Sequence, residues 1–136
     1  MSKTKRYLGV DFGDKRVGLA TGDDEVCLAT PLETLDGTQE DLLEVFIRTC
    51  RKEEIDHIVM GLPRGLDSQD TAQTVKVRNF AVKLESALGL PLTLQDEALT
   101  SVAARERLQE RGQATDGGAI DREAAAIILQ DYLGAL

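Results

Sequence analysis

The sequence predicts an α/β protein: a five-stranded mixed sheet flanked by helices. Three observations carry this expectation. Apolar runs at 5–12 and 16–21 flank a polar, glycine-containing break, which is the pattern of a β-hairpin. Beyond residue 38, segments with helical spacing alternate with short apolar runs, which implies parallel crossovers. The 136 residues, 42% apolar and 29% charged, suit one domain, 1–136, whose core is mostly Leu, Ile, Val and Ala.

Taken in order, the hairpin is followed by Val26-Cys27-Leu28-Ala29-Thr30, a third strand candidate that Pro31 ends or confines to an edge. The opening therefore reads as an antiparallel meander. Thr38 is placed as the N-cap of a first helix, with Leu43, Phe46, Ile47 and Cys50 on one face. His57-Ile58-Val59-Met60 is a buried strand stopped by Gly61-Leu62-Pro63. The loop Gly65-Leu66-Asp67-Ser68 caps a second helix with the stripe Val77, Phe80, Ala81, Leu84 and Leu88, which Gly89 closes. A fifth strand is expected over 90–95, with Asp96 and Glu97 at its end. Thr100 or Ser101 then caps a third helix that stops at Gly112. Residues 112–119 are small and polar and read as a flexible connection without core residues. The last helix is expected from Ile120-Asp121, with Asp121, Ala124, Ala125, Ile128 and Tyr132 on one face.

Composition removes several function classes. No apolar run approaches the roughly 20 residues of a membrane-spanning helix. The basic start is followed by an apolar run broken at Asp11, so no signal peptide is expected and the cytoplasm is the default location. Cys27 and Cys50 carry no disulfide or zinc pattern, and His57 is the only histidine, which leaves little for histidine-based catalysis. The net charge of −8 argues against a nucleic-acid partner, but it is unevenly spread: +3 over residues 1–22, −8 over 23–56 and −3 over 57–136.

Asp11 is the unusual residue of the first strand, because an ionised carboxylate among apolar residues is costly unless a cation or strong donors meet it. Two readings are open: a turn residue bonded to nearby backbone N–H groups, or a metal ligand at the end of a central strand. Asp96 or Glu97 follows the fifth strand and serves either a helix start or a site. Asp121 is either a helix N-cap or a site residue. If the first, fourth and fifth strands are parallel neighbours, their carboxyl ends bring these acids together where α/β sheets bind ligands. Clustered carboxylates need a shared proton or cations, and oxygen-only ligands favour Mg²⁺ or Mn²⁺. Lys15, Arg16, Arg64 and Arg78 are the candidate phosphate contacts, each with the alternative of a solvated surface charge.

Leu8-Gly9-Val10-Asp11-Phe12-Gly13, Lys15-Arg16-Val17-Gly18-Leu19-Ala20, Val59-Met60-Gly61-Leu62-Pro63, Val77-Arg78-Asn79-Phe80-Ala81, Asp96-Glu97-Ala98-Leu99-Thr100-Ser101 and Ile120-Asp121 with the segment 124–133 together resemble the YqgF/RuvX family. That family has a ribonuclease H-like fold and is described as Holliday junction resolvases or pre-16S rRNA processing nucleases. The resemblance implies a three-layer fold with strand order 3-2-1-4-5, and it puts Asp11, Glu97 and Asp121 in the places of the family's three acidic metal ligands. Two departures remove positive charge. Ala98 stands where the family has Arg, and 112–119 holds no Lys or Arg where the family is often basic.

The function expected is a two-metal, Mg²⁺- or Mn²⁺-dependent nuclease acting on structured nucleic acid, with 5′-end processing of pre-16S rRNA preferred over resolution of branched DNA. The expected partners are pre-rRNA or branched DNA and ribosomal precursor particles, with no membrane, and the protein acts as a monomer or homodimer. A phosphotransferase of the actin or sugar-kinase type shares the motif at Asp11-Phe12-Gly13, but it needs a second domain and a second phosphate loop. A non-catalytic RNA-binding or ribosome-assembly protein is the third class, and a metal-dependent cleavage assay separates it from a nuclease.

Overall fold

The computed structural model describes residues 3–65, 67, 69–97 and 100–136. In chain order these form β1 (Arg6–Phe12), β2 (Arg16–Asp23), β3 (Thr30–Asp36), α1 (Leu42–Lys52), β4 (His57–Pro63), α2 (Ala72–Leu88), β5 (Leu92–Glu97), α3 (Thr100–Glu110) and α4 (Gly117–Gly134). The sheet order is β3-β2-β1-β4-β5, as expected. The first three strands are antiparallel, whereas β1, β4 and β5 are parallel neighbours.

Side-chain alternation sorts the sheet into two unlike faces. One face presents Leu8, Val10, Val17, Leu19, Ile58, Met60 and Leu62, packed by Phe46 and Cys50 of α1 and by Val77, Ala81 and Leu84 of α2. Each fully buried large side chain here contributes about 1.5–3 kcal/mol. The other face presents small residues and is covered by α4, with α3 lying on α4 through Ala104 and Leu108. Tyr7 and Val59 meet Ile128, Leu129 and Leu133 there. At Gly18 an added Cβ would stand 1.9 Å from the Asp121 carbonyl oxygen, and at Gly9 it would stand 2.8 Å from that of Ala125. The α4 backbone therefore rests directly on the strands.

Several local expectations are corrected. The third strand begins at Thr30, four residues later than expected, and runs through Pro31. Cys27 is in the left-handed region (φ 59) and the Asp23 carboxylate accepts from the Glu25 and Val26 amides, so 24–26 is a turn and 27–29 is irregular. Pro31 is accommodated by a register shift between Leu19 and Ala20 on β2. Thr38 caps nothing: its amide and hydroxyl donate to Asp36 Oδ1, and α1 follows Asp41 without a side-chain cap. The second helix is capped by Thr71, in a reciprocal box with Thr74. Gly89 closes it in the left-handed conformation, as expected. The loop residues Leu66 and Ser68, and also Ala98, lie outside the described residues. β5 ends at Glu97, two residues later than expected, so Asp96 and Glu97 belong to the strand. The connection at 112–119 is shorter than expected, because Asp116 caps α4 through the Ala119 amide (2.9 Å) and Ala119 is buried.

Replacing Gly18 with Ala forces α4 off β2 and should lower stability by about 3 kcal/mol, the upper end of the overpacking range. At Gly134 an added Cβ meets nothing within 4 Å, so Gly134→Ala should stay within about 0.5 kcal/mol of the parent. Urea denaturation of both variants checks this.

Candidate active site

Strand alternation decides which acids share a face. Gly9 and Asp11 of β1 point the same way as Gly18 of β2, because Asp11 pairs with Gly18 and Gly9 with Ala20. On β5, Gln95 points to α4, where its amide donates to the Ile128 carbonyl (3.0 Å). Glu97, two residues on, shares that face, whereas the Asp96 side chain is 66% exposed and pairs with Arg64. Glu97 rather than Asp96 is thus the site candidate. Between β1 and β5 lies Gly61 of β4, where an added Cβ would stand 2.9 Å from Glu97 Cδ and 3.0 Å from its Oε1. The bare backbone at Gly61 is what lets the Glu97 carboxyl fold over β4. Asp121 arrives from α4, whose carbonyl at this same residue lies on Gly18 beside Asp11. It sits inside the first turns of the helix, not at the N-cap.

The electrostatics follow from this crowding. Burial, then the charges of Glu97 and Asp121, push the Asp11 carboxyl up to about 7. Burial also raises Glu97, against a hydrogen bond from the Thr100 side chain that favours its ionised form. The counter-charge is Arg16, whose Nε donates to Asp121 Oδ2 at 2.6 Å and whose guanidinium lies against Gly117, where a Cβ would come within 2.5 Å of Nη2. Among the described residues no three metal-binding side chains already close around one point. Asp121 is held by Arg16 instead. A donor set of carboxylate oxygens alone, two of them raised toward protonation, suits a hard divalent cation.

A family model described as "RuvX: Holliday junction resolvase" matches residues 5–135. The chain belongs to the RuvX family. Among its relatives, the "Putative pre-16S rRNA nuclease" of Maridesulfovibrio salexigens is 40% identical over 131 residues, covering 94% of this chain and 97% of the relative. The protein of the same name from Orientia tsutsugamushi is 40% identical over 131 residues, covering 95% and 83%. Among solved structures, Thermus thermophilus RuvC in complex with a Holliday junction superposes with a TM-score of 0.62 at 16% identity over 96% of this chain and 94% of that one. The large terminase nuclease of phage G20c gives a TM-score of 0.53 at 14% identity over 96% and 81%. These structural likenesses establish the fold, which is ribonuclease H-like.

Within this RuvX fold the four basic candidates separate. Arg16 is at the acids. Arg64 follows β4 and bridges Asp70 (3.0 Å) and Asp96 (3.4 Å), near Glu97 but not on its face of β5. Arg78 lies on α2 and reaches Asp70 at 3.7 Å. Lys15 is exposed in the β1–β2 turn, where its carbonyl accepts from the Gly37 amide. Two features escaped the sequence. Gly61 reads there as a strand stop, although its space for Glu97 was hinted at by a glycine inside an apolar run. Arg107, Arg111 and Arg122 gather around α4 from segments that reasoning by position keeps apart.

Asp11 should cost stability as pH rises. Its folded value near 7 lies above the unfolded value of 3.8, so the folded state loses stability between those values and the loss is complete above them. Asp11→Asn should therefore be more stable than the parent at pH 8 in EDTA, by up to about 4 kcal/mol, and equal to it near pH 3. Thermal melts at both pH values check this, and a destabilised variant at pH 8 would make Asp11 a backbone-bonded turn residue. Gly61→Ala, which changes no charge, should displace the Glu97 carboxyl and weaken Mn²⁺ binding at least tenfold by calorimetry.

Proposed function

We propose that this RuvX-family chain is a nuclease that depends on Mg²⁺ or Mn²⁺, acts on structured RNA, and matures the 5′ end of pre-16S rRNA in the cytoplasm. In this reading residues 1–136 act as one domain, as a monomer or homodimer, on precursor ribosomal particles. The observation that carries it is the meeting of Asp11, Glu97 and Asp121 on one face of the sheet, with Asp121 seated on Gly18 beside Asp11 and the Glu97 carboxyl over Gly61; burial and the two neighbouring acids raise Asp11 to about 7. The charges of Glu97 and Asp121 both oppose ionisation of Asp11, a cost that a cation bound there would remove. The names of the relatives at 40% identity support an rRNA substrate.

Asp11, Glu97 and Asp121 hold the cations in this reading. When bound, a pair of such ions supplies a nucleophile at neutral pH and charge stabilisation at the phosphoryl group. Asp11 gives up its proton on loading, so binding tightens as pH rises toward and past 7. Arg16 Nε holds Asp121 Oδ2 in place, which leaves Oδ1 for a cation; where a cation takes over that carboxylate, Arg16 is released for a substrate phosphate. Lys15, beside it in the turn, offers a second positive charge, and Arg64 and Arg78 extend the contacts along the strand ends.

Resolution of branched DNA is the second reading, favoured by the description of the family model. Cleavage of a pre-16S 5′ leader and of a four-way DNA junction, each with Mg²⁺, Mn²⁺ or EDTA, decides between them. The parent should cut the leader only with metal, and Asp11→Asn and Glu97→Gln should both fall at least a thousandfold. Cutting of the junction alone transfers the function to DNA. Metal-independent binding of the leader without cleavage leaves a non-catalytic assembly protein.

A further inference from the structure

We propose that the cleft between α3, α4 and the edge strand β3 binds the phosphate backbone of nucleic acid, with Arg107, Arg111 and Arg122 as its phosphate ligands. The inference rests on the nuclease reading and adds to it a second contact surface beside the acids. The cleft encloses about 660 Å³, within the range of ligand sites. It is bounded along α4 from Asp116 to Gln130, about 21 Å of helix at 1.5 Å per residue, or roughly six nucleotide steps at ~3.4 Å per strand.

Its charge opposes that of the chain. Three guanidiniums face two carboxylates here, in a protein whose net charge is −8. Both carboxylates are already occupied. Asp116 accepts from the Ala119 amide at 2.9 Å as the α4 cap, and Glu123, 3% exposed, accepts from Arg111 Nη2 at 2.5 Å. A buried carboxylate is costly unless paired, so Glu123 fixes Arg111, whose Nε also donates to Gln113 at 2.9 Å. Arg122 Nη1 donates to Thr34 Oγ1 at 3.2 Å; the Ala119 amide and, more weakly, the Arg122 charge hold the Asp116 carboxyl below its ordinary value. Arg107 makes no salt bridge among the described residues and is exposed. Planar guanidiniums held at a cleft wall match phosphate oxygens bidentately.

The cleft also adjoins the acids. The α4 start, Gly117-Gly118, carries Arg16 on one glycine and has Arg122 Nη1 within 3.4 Å of a Cβ built on the other. Arg16 turns to Asp121, and Arg122, the next residue along α4, turns to β3. A strand whose phosphate lies at Arg16 thus continues along α4 to Arg122, Arg111 and Arg107. The absence of basic residues at 112–119 is made up by Arg107 on α3, Arg111 just after it and Arg122 on α4.

The test is binding of a fluorescent pre-16S 5′-leader RNA, titrated against salt, by the parent, Arg107→Gln, Arg122→Gln, the double variant and the control Lys52→Gln on α1. Arg111 is left intact because its loss strands Glu123. Each arginine variant should bind three- to tenfold more weakly, with the slope of log K against log salt reduced by about one per arginine removed. Lys52→Gln should match the parent. An unchanged slope in the double variant, with parent cleavage intact, overturns the cleft and spares the nuclease reading. Binding that depends on the arginines without cleavage spares the cleft and overturns the nuclease. If the double variant loses binding of an acidic peptide but not of RNA, the cleft serves a protein partner and the proposal fails.

Discussion

The close seat of α4 on the sheet is the constraint on which the rest depends. A helix normally meets a sheet through side chains, but here the carbonyls of Asp121 and Ala125 lie within what would be Cβ contact of Gly18 and Gly9. No other residue type fits at Gly18. The consequence is positional: Asp121 is delivered beside the strand that carries Asp11, and a helix standing off by one side chain would leave the two acids apart. The opposite face has no such demand, and it fills with Leu, Ile, Val and Met in ordinary packing against α1 and α2.

That seat sets stability against function. Burial and the neighbouring acids raise Asp11 to about 7, so at neutral pH the site opposes the fold that builds it. Arg16, the first residue of β2, offsets part of this through its bond to Asp121. A structural carboxylate would be satisfied by fixed donors. The positive charge here, Arg16, is bonded to Asp121, and the influences on Asp11 itself are burial and the two neighbouring acids.

Much of this was legible in the sequence because it depends on short-range pattern. The hairpin, the α2 stripe closed by Gly89 and the parallel sense of the crossovers follow from alternation and helical spacing, while the strand order, and with it the pairs β1–β4 and β4–β5, came from family resemblance. The misplacements have local causes. Residues 26–29 look like a strand, but Asp23 captures two amides and Cys27 turns left-handed. The stretch 112–119 looks like a linker because Asp116, its helix cap, lies among small residues whose packing partners are far away in sequence. Asp96 and Glu97 are equivalent until β5 extends to Glu97 and alternation turns one outward. Gly61 and the arginine cleft were illegible for a stronger reason: each depends on elements that meet only in the fold.

The net charge of −8 illustrates the same limit from the side of electrostatics. It suggests repulsion of nucleic acid, yet at physiological salt a surface charge acts over about 8 Å, so layout matters more than sum. The acidic block 23–56 includes Glu53, which pairs with Arg6 at the start of β1. That is five residues, or about 17 Å of strand, from Asp11. Of the rest, Glu44 lies on α1 and Asp36 ends β3, and Glu33 of β3 faces Arg48 and Lys52 on the sheet face opposite α4. Arg16, Arg107, Arg111 and Arg122 share the α4 side with the three acids. On that side the guanidiniums stand among the acids, so the local charge is less negative than the net charge implies. An acidic protein can therefore carry a nucleic-acid site, provided the fold gathers its few arginines on one side.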